Sequence, residues 1–179
     1  MPELGSLRDA LVEEIQDLYD AEHQLSRVLP RMANAVNDRN LRSVIEAHLE
    51  DARNRLTRLE EVFVLLRTQP RAKHCAGIAG IIQHTCDALY ADAAPEVTDA
   101  RIIAGGQRVE HYEIAAYGTA VAWAEALELT EVAEILAQCL EEERAADEEL
   151  SLLAEGGINQ AAMRAEPGAA DPSPAGRAG

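Results

Sequence analysis

Carboxylates and an imidazole interrupt apolar helical stripes on four separate stretches of this chain. The first stripe runs Leu11, Ile15, Leu18, Glu22, Leu25, Leu29, Met32 and Val36, in alternating steps of four and three. Such spacing sets these residues on one helix face, the face a bundle buries. Glu22 is the sole charge in that series. An ionised carboxylate taken from water without a partner costs several kcal/mol, so a buried one calls for a cation beside it.

The pattern recurs. A second stripe gives Leu41, Ile45, His48, Ala52, Leu56, Leu59, Phe63 and Leu66, with Asp51 flanking it one turn past His48. A third gives Ile103, Gly106, Glu110, Glu113, Tyr117, Ala120, Ala124 and Leu127. A fourth gives Val132, Leu136, Cys139 and Glu143, then Ala146 or Asp147, Leu150 and Leu153. Each helix therefore points at least one oxygen or nitrogen ligand at a shared interior.

Partners in an antiparallel hairpin lie at equal distances from the turn. The third and fourth stripes turn near residues 128 and 129, so position numbers at one level should add to about 257, which Glu110 with Asp147 and Glu113 with Glu143 satisfy within one residue. For the first two stripes the expected sum is near 77, and Glu22 with Asp51 falls four short of it. Carboxylates gathered in a low-dielectric interior repel unless protonated or bridged by cations. Two divalent ions sharing them, with an imidazole as a terminal ligand, would resolve the repulsion. Oxygen-rich ligation with a single nitrogen suits iron or manganese better than structural zinc. Iron would bring dioxygen or peroxide chemistry.

Positioning these residues falls to long helices. Helical stretches are expected over about 6–36, 41–66, 98–127 and 130–157, the first capped by Ser6 with Asp9 three residues on and carrying Pro30 near its end. Thr98 and Thr130 are expected to cap the third and fourth, Pro70 to stop the second, and Gly156-Gly157 to end the last as a glycine C-cap. Between the hairpins lies a connection over 70–97, with a short amphipathic helix at 77–91 whose apolar side is Ile78, Ile81, Ile82, Leu89 and Tyr90. Two hairpins joined by a long crossover make an all-α, ferritin-like antiparallel four-helix bundle with a short fifth helix. The bundle should fill residues 1–163, and the Ala-, Gly- and Pro-rich stretch 164–179 reads as a disordered tail.

Composition agrees. The 179 residues suit one domain with a sizeable core, and Ala, Leu and Glu dominate over a single Phe and a single Trp. A net charge of -16 disfavours nucleic acid and anionic membranes as partners. No basic start with an apolar core marks a signal peptide, and no apolar run is long enough to span a bilayer. Three scattered cysteines argue against a disulfide framework and for a cytoplasmic location. Phosphate loops, Gly-x-Ser-x-Gly elbows and His-Glu-x-x-His motifs are missing, which leaves hydrolase and nucleotide-binding readings unsupported.

The segments EIQDLYDAEHQLSRVLPRMANA, IEAHLEDARNRLTRLEEVF, QRVEHYEIAAYGTAVAWAEAL and LEEERAADEELSLLAE resemble the YciF-like family of bacterial stress proteins, within the ferritin-like superfamily. VEHYEIAAYG is the most specific of these elements, and the resemblance runs over about residues 6–158. It implies a ferritin-like bundle, usually a homodimer, with a dinuclear metal centre and a role in stress response. Carried onto this chain, the expected ligands are Glu22, His48, Asp51, Glu110, Glu113, Glu143 and Asp147. They depart from the usual Glu-x-x-His pair on each of two helices: one helix has the reversed His48-x-x-Asp51, and another follows Glu143 with Ala146 and Asp147 and no histidine.

These readings give a di-iron (alternatively di-manganese) protein that oxidises Fe(II) or consumes peroxide. The competing reading of the same residues is a metal-free structural or interaction homodimer that keeps the bundle. In that case the buried acids are protonated, paired with Arg, or open to water through a splayed bundle. Taken singly, His48 has the alternative of a hydrogen-bonded core histidine, and Asp51 that of a surface partner of Arg55.

Overall fold

The computed structural model describes residues 5–89 and 92–165 of the chain. Among the described residues six α-helices follow in order: α1 Leu7–Ala35, α2 Arg39–Leu65, α3 Ala76–Leu89, α4 Pro95–Ala126, α5 Thr130–Leu153 and α6 Asn159–Arg164, with a π-helical turn, Ala154–Ile158, between the last two. There is no strand among the described residues. Helices α1, α2, α4 and α5 form the ferritin-like bundle expected from the spacing. Helices α1 and α2 make one hairpin and α4 and α5 the other; α1 packs on α4, and α2 on α5. Helix α3 rides on the crossover, against α4 and α1.

Local chemistry explains most of the boundaries. Ser6 caps α1 by accepting from the Asp9 amide at 3.2 Å and donating to its carboxylate at 2.7 Å. The helix then continues unbroken through Pro30. Asp38 caps α2, accepting from the amides of Asn40 and Leu41. The α1–α2 turn is also tied to α4: the buried Asp99 carboxylate accepts from the backbone amides of Asn37 and Asp38, both at 2.9 Å. Across the crossover, Cys75 donates its amide to Asp20 at 2.9 Å, and Lys73 donates its amide to the Gln16 carbonyl at 3.0 Å. The crossover is thereby laid along α1.

Four signals expected to start or stop helices do not do so. Helix α4 begins at Pro95, whose fixed φ suits the first helical position, so Thr98 lies inside the helix and bonds its hydroxyl back to the Ala94 carbonyl. Thr130 is the first residue of α5, and Leu129 before it offers no side-chain cap. Helix α2 ends five residues ahead of Pro70, where Arg67 takes a positive φ of 57°. Gly156-Gly157 does not end the helical course: Gly157, at φ 154°, makes a kink through which the chain passes into α6. Of the tail expected from residue 164, residues 166–179 lie outside the described residues, as does Tyr90 of the fifth-helix face.

Two apolar clusters fill the bundle. One, at the α1–α2 turn, draws on Leu25, Met32, Leu41, Ile45, Val109 and Leu150, with Ile78 of α3. The other, at the α4–α5 turn, draws on Leu11, Leu18, Leu59, Phe63, Ala120 and Leu136. On every long helix a buried polar residue falls at or beside the boundary between its contributions to the two. The bundle therefore has a polar layer across its middle.

Candidate metal centre

That layer is built from one or two residues per helix. Glu22 of α1, Glu113 of α4 and Glu143 of α5 are wholly buried, and each offers an oxygen within 4.8 Å of the others. Glu110 stands one turn before Glu113 on α4, and His48 of α2 faces it, Nδ1 lying 3.6 Å from Glu110 Oε1. Five of the seven expected ligands thus meet in or beside the layer. The other two do not join the three-carboxylate group: Asp51 and Asp147 are half-buried, and Asp147 Oδ1 lies 3.2 Å from the exposed His111 imidazole.

The residue missed from the sequence is Arg55. It points inward, 5% exposed, with Nε 2.6 Å from Glu22 Oε1 and 2.7 Å from Glu143 Oε1. The single Nε hydrogen is donated to Glu22, so Glu143 receives the charge without a hydrogen bond. Tyr117 donates its hydroxyl to the same Glu22 oxygen at 2.8 Å. The surface pairing of Arg55 with Asp51 is therefore corrected, because the guanidinium is turned to the acids of α1 and α5. A signal was present. The numbers of Glu22 and Arg55 add to 77, the sum expected for one level of the first hairpin, and Arg55 lies two helical turns from His48. Leu56, next to it, offered an apolar residue for the same stripe and masked it.

Unmet hydrogen-bonding capacity is concentrated here. Both oxygens of Glu113 and both of Glu143, Glu22 Oε2 and His48 Nε2 are buried and without a hydrogen-bond partner among the described residues. Burial pushes Glu22 up to about 7, with Arg55 pulling against the shift and Glu143 adding to it. Burial, then the charges of Glu22 and Glu143, hold Glu113 well above the usual carboxylate range. Burial and the adjacent Glu143 do the same to Glu110. Burial, helped by Arg55, pulls His48 down to about 4. At neutral pH the imidazole is uncharged, so its approach to Glu110 is not an ion pair. Burial works against the charge on Arg55, but Glu22, Glu143 and Glu113 outweigh it.

One resident guanidinium therefore faces four buried carboxyl groups. Part of the compensation these acids need is thus built in. The rest falls to protons or to cations, and the donor set of carboxylate oxygens with one neutral imidazole matches hard divalent ions. Other candidate groups fare less well. His74 and His84 are exposed while Cys75 and Cys86 are buried, and no metal-like group forms among them in the described crossover residues. The three cysteines are all free. No described helix is long and apolar enough to cross a membrane.

A family model described as "Domain of unknown function (DUF892)" matches residues 6–163. The protein YciF of Escherichia coli (strain K12) is 35% identical over 161 residues, covering 89% of this chain and 96% of that protein. The crystal structure of the E. coli stress protein YciF superposes with a TM-score of 0.84 at 34% identity, over 88% of this chain and 99% of that one. A structure of YcfI from Rhodopseudomonas palustris gives a TM-score of 0.81 at 36% identity, over 84% of this chain and 96% of that one.

Proposed function

The chain belongs to the DUF892 family, and from that premise we propose that it is a stress-associated, ferritin-like metalloprotein. Its polar layer would bind two divalent ions, iron first and manganese second, and serve Fe(II) oxidation or peroxide consumption. The supporting observation is the set of buried atoms without a hydrogen-bond partner on Glu22, His48, Glu113 and Glu143. Groups of this kind normally find partners, and leaving them unmet costs about 1–3 kcal/mol each, more when charged. Divalent ions would satisfy them together.

In this reading Glu22, Glu113 and Glu143 would hold one ion. Glu110 and His48, with Glu143 shared, would hold the second. Asp51 and Asp147, one turn further out on α2 and α5, would complete the set from the solvent side. Bound iron would supply one-electron redox chemistry toward dioxygen or peroxide. The chain's own residues do the rest: Tyr117 orients Glu22, the neutral His48 presents a nitrogen lone pair, and the apolar clusters above and below keep the layer dry. The working unit is a cytoplasmic homodimer. An anaerobic Fe(II) titration followed by air tests the reading. About two irons per chain are expected, with oxo-bridge absorbance on exposure to air or consumption of peroxide added afterwards; binding well below one iron per chain, with neither, overturns it.

One observation favours a second reading. Arg55 is an internal cation already in contact with two of the acids. A metal-free bundle would keep that pair and hold the remaining acids protonated. Chelators would then leave its melting temperature unchanged, whereas a ligand that binds only the folded form raises stability by mass action.

A further inference from the structure

We propose that Arg55 is a movable counter-ion that must leave the carboxylate layer for a divalent ion to enter, and that Glu142 is the group that receives it. The inference rests on the metal-binding reading above and adds a residue to it that competes with the ion.

The guanidinium has two sets of acceptors. Its inner side lies against Glu22 and Glu143, two of the three acids whose oxygens converge. Its outer side points at Glu142, next to Glu143 on α5, with Nη1 3.8 Å from Glu142 Oε2. That separation is too long for a hydrogen bond, yet Glu142 Oε2 is buried and has no hydrogen-bond partner among the described residues. The other oxygen, Glu142 Oε1, is held by Arg58 at 2.7 Å, which fixes the carboxylate in place. Glu142 therefore carries an open acceptor within about 1 Å of hydrogen-bonding range of a guanidinium whose inner contacts are shared.

Competition follows from charge. Glu22 Oε2 and both oxygens of Glu143 are open to an ion, but Arg55 Nε lies 2.6 Å from Glu22 Oε1 and 2.7 Å from Glu143 Oε1, so an ion on these carboxylates sits beside the guanidinium. Tyr117 is wholly buried and hydrogen-bonded at the layer, while Arg55 has somewhere to go. Two cations sharing one small dry space also repel each other strongly. Moving the guanidinium outward by about one hydrogen-bond step separates them and satisfies Glu142. Empty, the layer keeps a partial counter-charge; loaded, it hands that charge to the rim.

A double-mutant cycle read by Mn(II) binding tests this, with calorimetry for affinity and electron paramagnetic resonance for stoichiometry. Arg55→Met keeps the apolar stem of the side chain and removes the competing charge, so Mn(II) should bind about tenfold tighter than to the wild type. Glu142→Gln removes the receiving charge and should weaken Mn(II) binding by about tenfold, and circular dichroism should show its helices unchanged. In Arg55→Met/Glu142→Gln the second change should have no further effect, because nothing is left to receive. Weaker or unaltered Mn(II) binding in Arg55→Met overturns the proposal. So does a Glu142→Gln effect of equal size in both backgrounds. If Arg55→Met does not fold, unaltered Mn(II) affinity in Glu142→Gln alone is enough to reject it. Absence of Mn(II) binding in wild type and all variants defeats the metal-binding reading itself, and this proposal with it. Absence in wild type alone, with binding restored by Arg55→Met, supports the competition.

Discussion

Glu113 is the sharpest single probe of the polar layer, because it is wholly buried and neither oxygen has a hydrogen-bond partner among the described residues. A buried carboxyl group with no hydrogen-bond partner costs about 1–3 kcal/mol, which an apolar side chain of similar volume removes. Glu113→Met should therefore raise the melting temperature measured in chelator by about 2–10 °C. The same substitution should abolish the extra stability that added Mn(II) or Fe(II) confers on the wild type. Differential scanning calorimetry with and without chelator reads both; a variant that melts lower in chelator would mean that Glu113 supplies structural contacts. At this scale the acids were legible, since a charge that breaks an apolar period is conspicuous in any helix. Arg55 was not. Its long apolar stem lets it lie near a stripe while the charged head reaches past it, and Leu56 beside it satisfied the period equally well.

Helix packing depends on close approaches that a hydrophobic pattern does not encode. Gly105 of α4 is such a point: a β-carbon there would sit 2.2 Å from Thr85 Cγ2 of α3. Thr85 is itself buried and bonded to the Ile81 carbonyl, so it cannot yield cheaply. Gly105→Ala should cost about 1–3 kcal/mol from overpacking, partly offset by the better helix propensity of alanine, and lower the melting temperature by a few degrees. Gly118 is the control on the same helix, since a β-carbon there would meet no neighbour within 4 Å. Gly118→Ala should gain up to about 1 kcal/mol and melt about 2–4 °C higher. Equal effects at the two sites would refute the packing account. The helices themselves were readable from periodicity, and the ends expected at 36, 66 and 127 lie one residue from those observed. Ser6 caps α1 as its residue type suggested. Thr98 and Thr130 were attractive caps by type, but Pro95 nucleates α4 a turn earlier, and α5 starts without a capping side chain.

Across the whole molecule the layer sets a pH dependence. Glu22, lifted to about 7, and Glu110 and Glu113, held by burial well above the usual carboxylate range, keep protons in the folded metal-free protein that the unfolded chain releases near 4.5. Their contribution is complete below 4.5 and is lost as the pH rises through 7. His48, lowered to about 4, works the other way: its contribution is complete above 6.5 and fades as the pH falls toward 4. Between pH 6.5 and 8 the carboxyl groups alone act, so the chelated protein should melt several degrees lower at pH 8 than at pH 6.5. A flat profile over that range would mean the acids are already balanced in the fold. The bundle topology was legible from hairpin turns and the long crossover, whereas the division of labour between Arg55, protons and cations depends on side-chain reach across three helices. The layer also separates two apolar ends that each draw on all four long rods. Such a molecule resembles two short zippers on shared rails: either end can breathe while the other stays shut. Whatever clasps the waist, guanidinium or ion, decides whether the ends open separately or together.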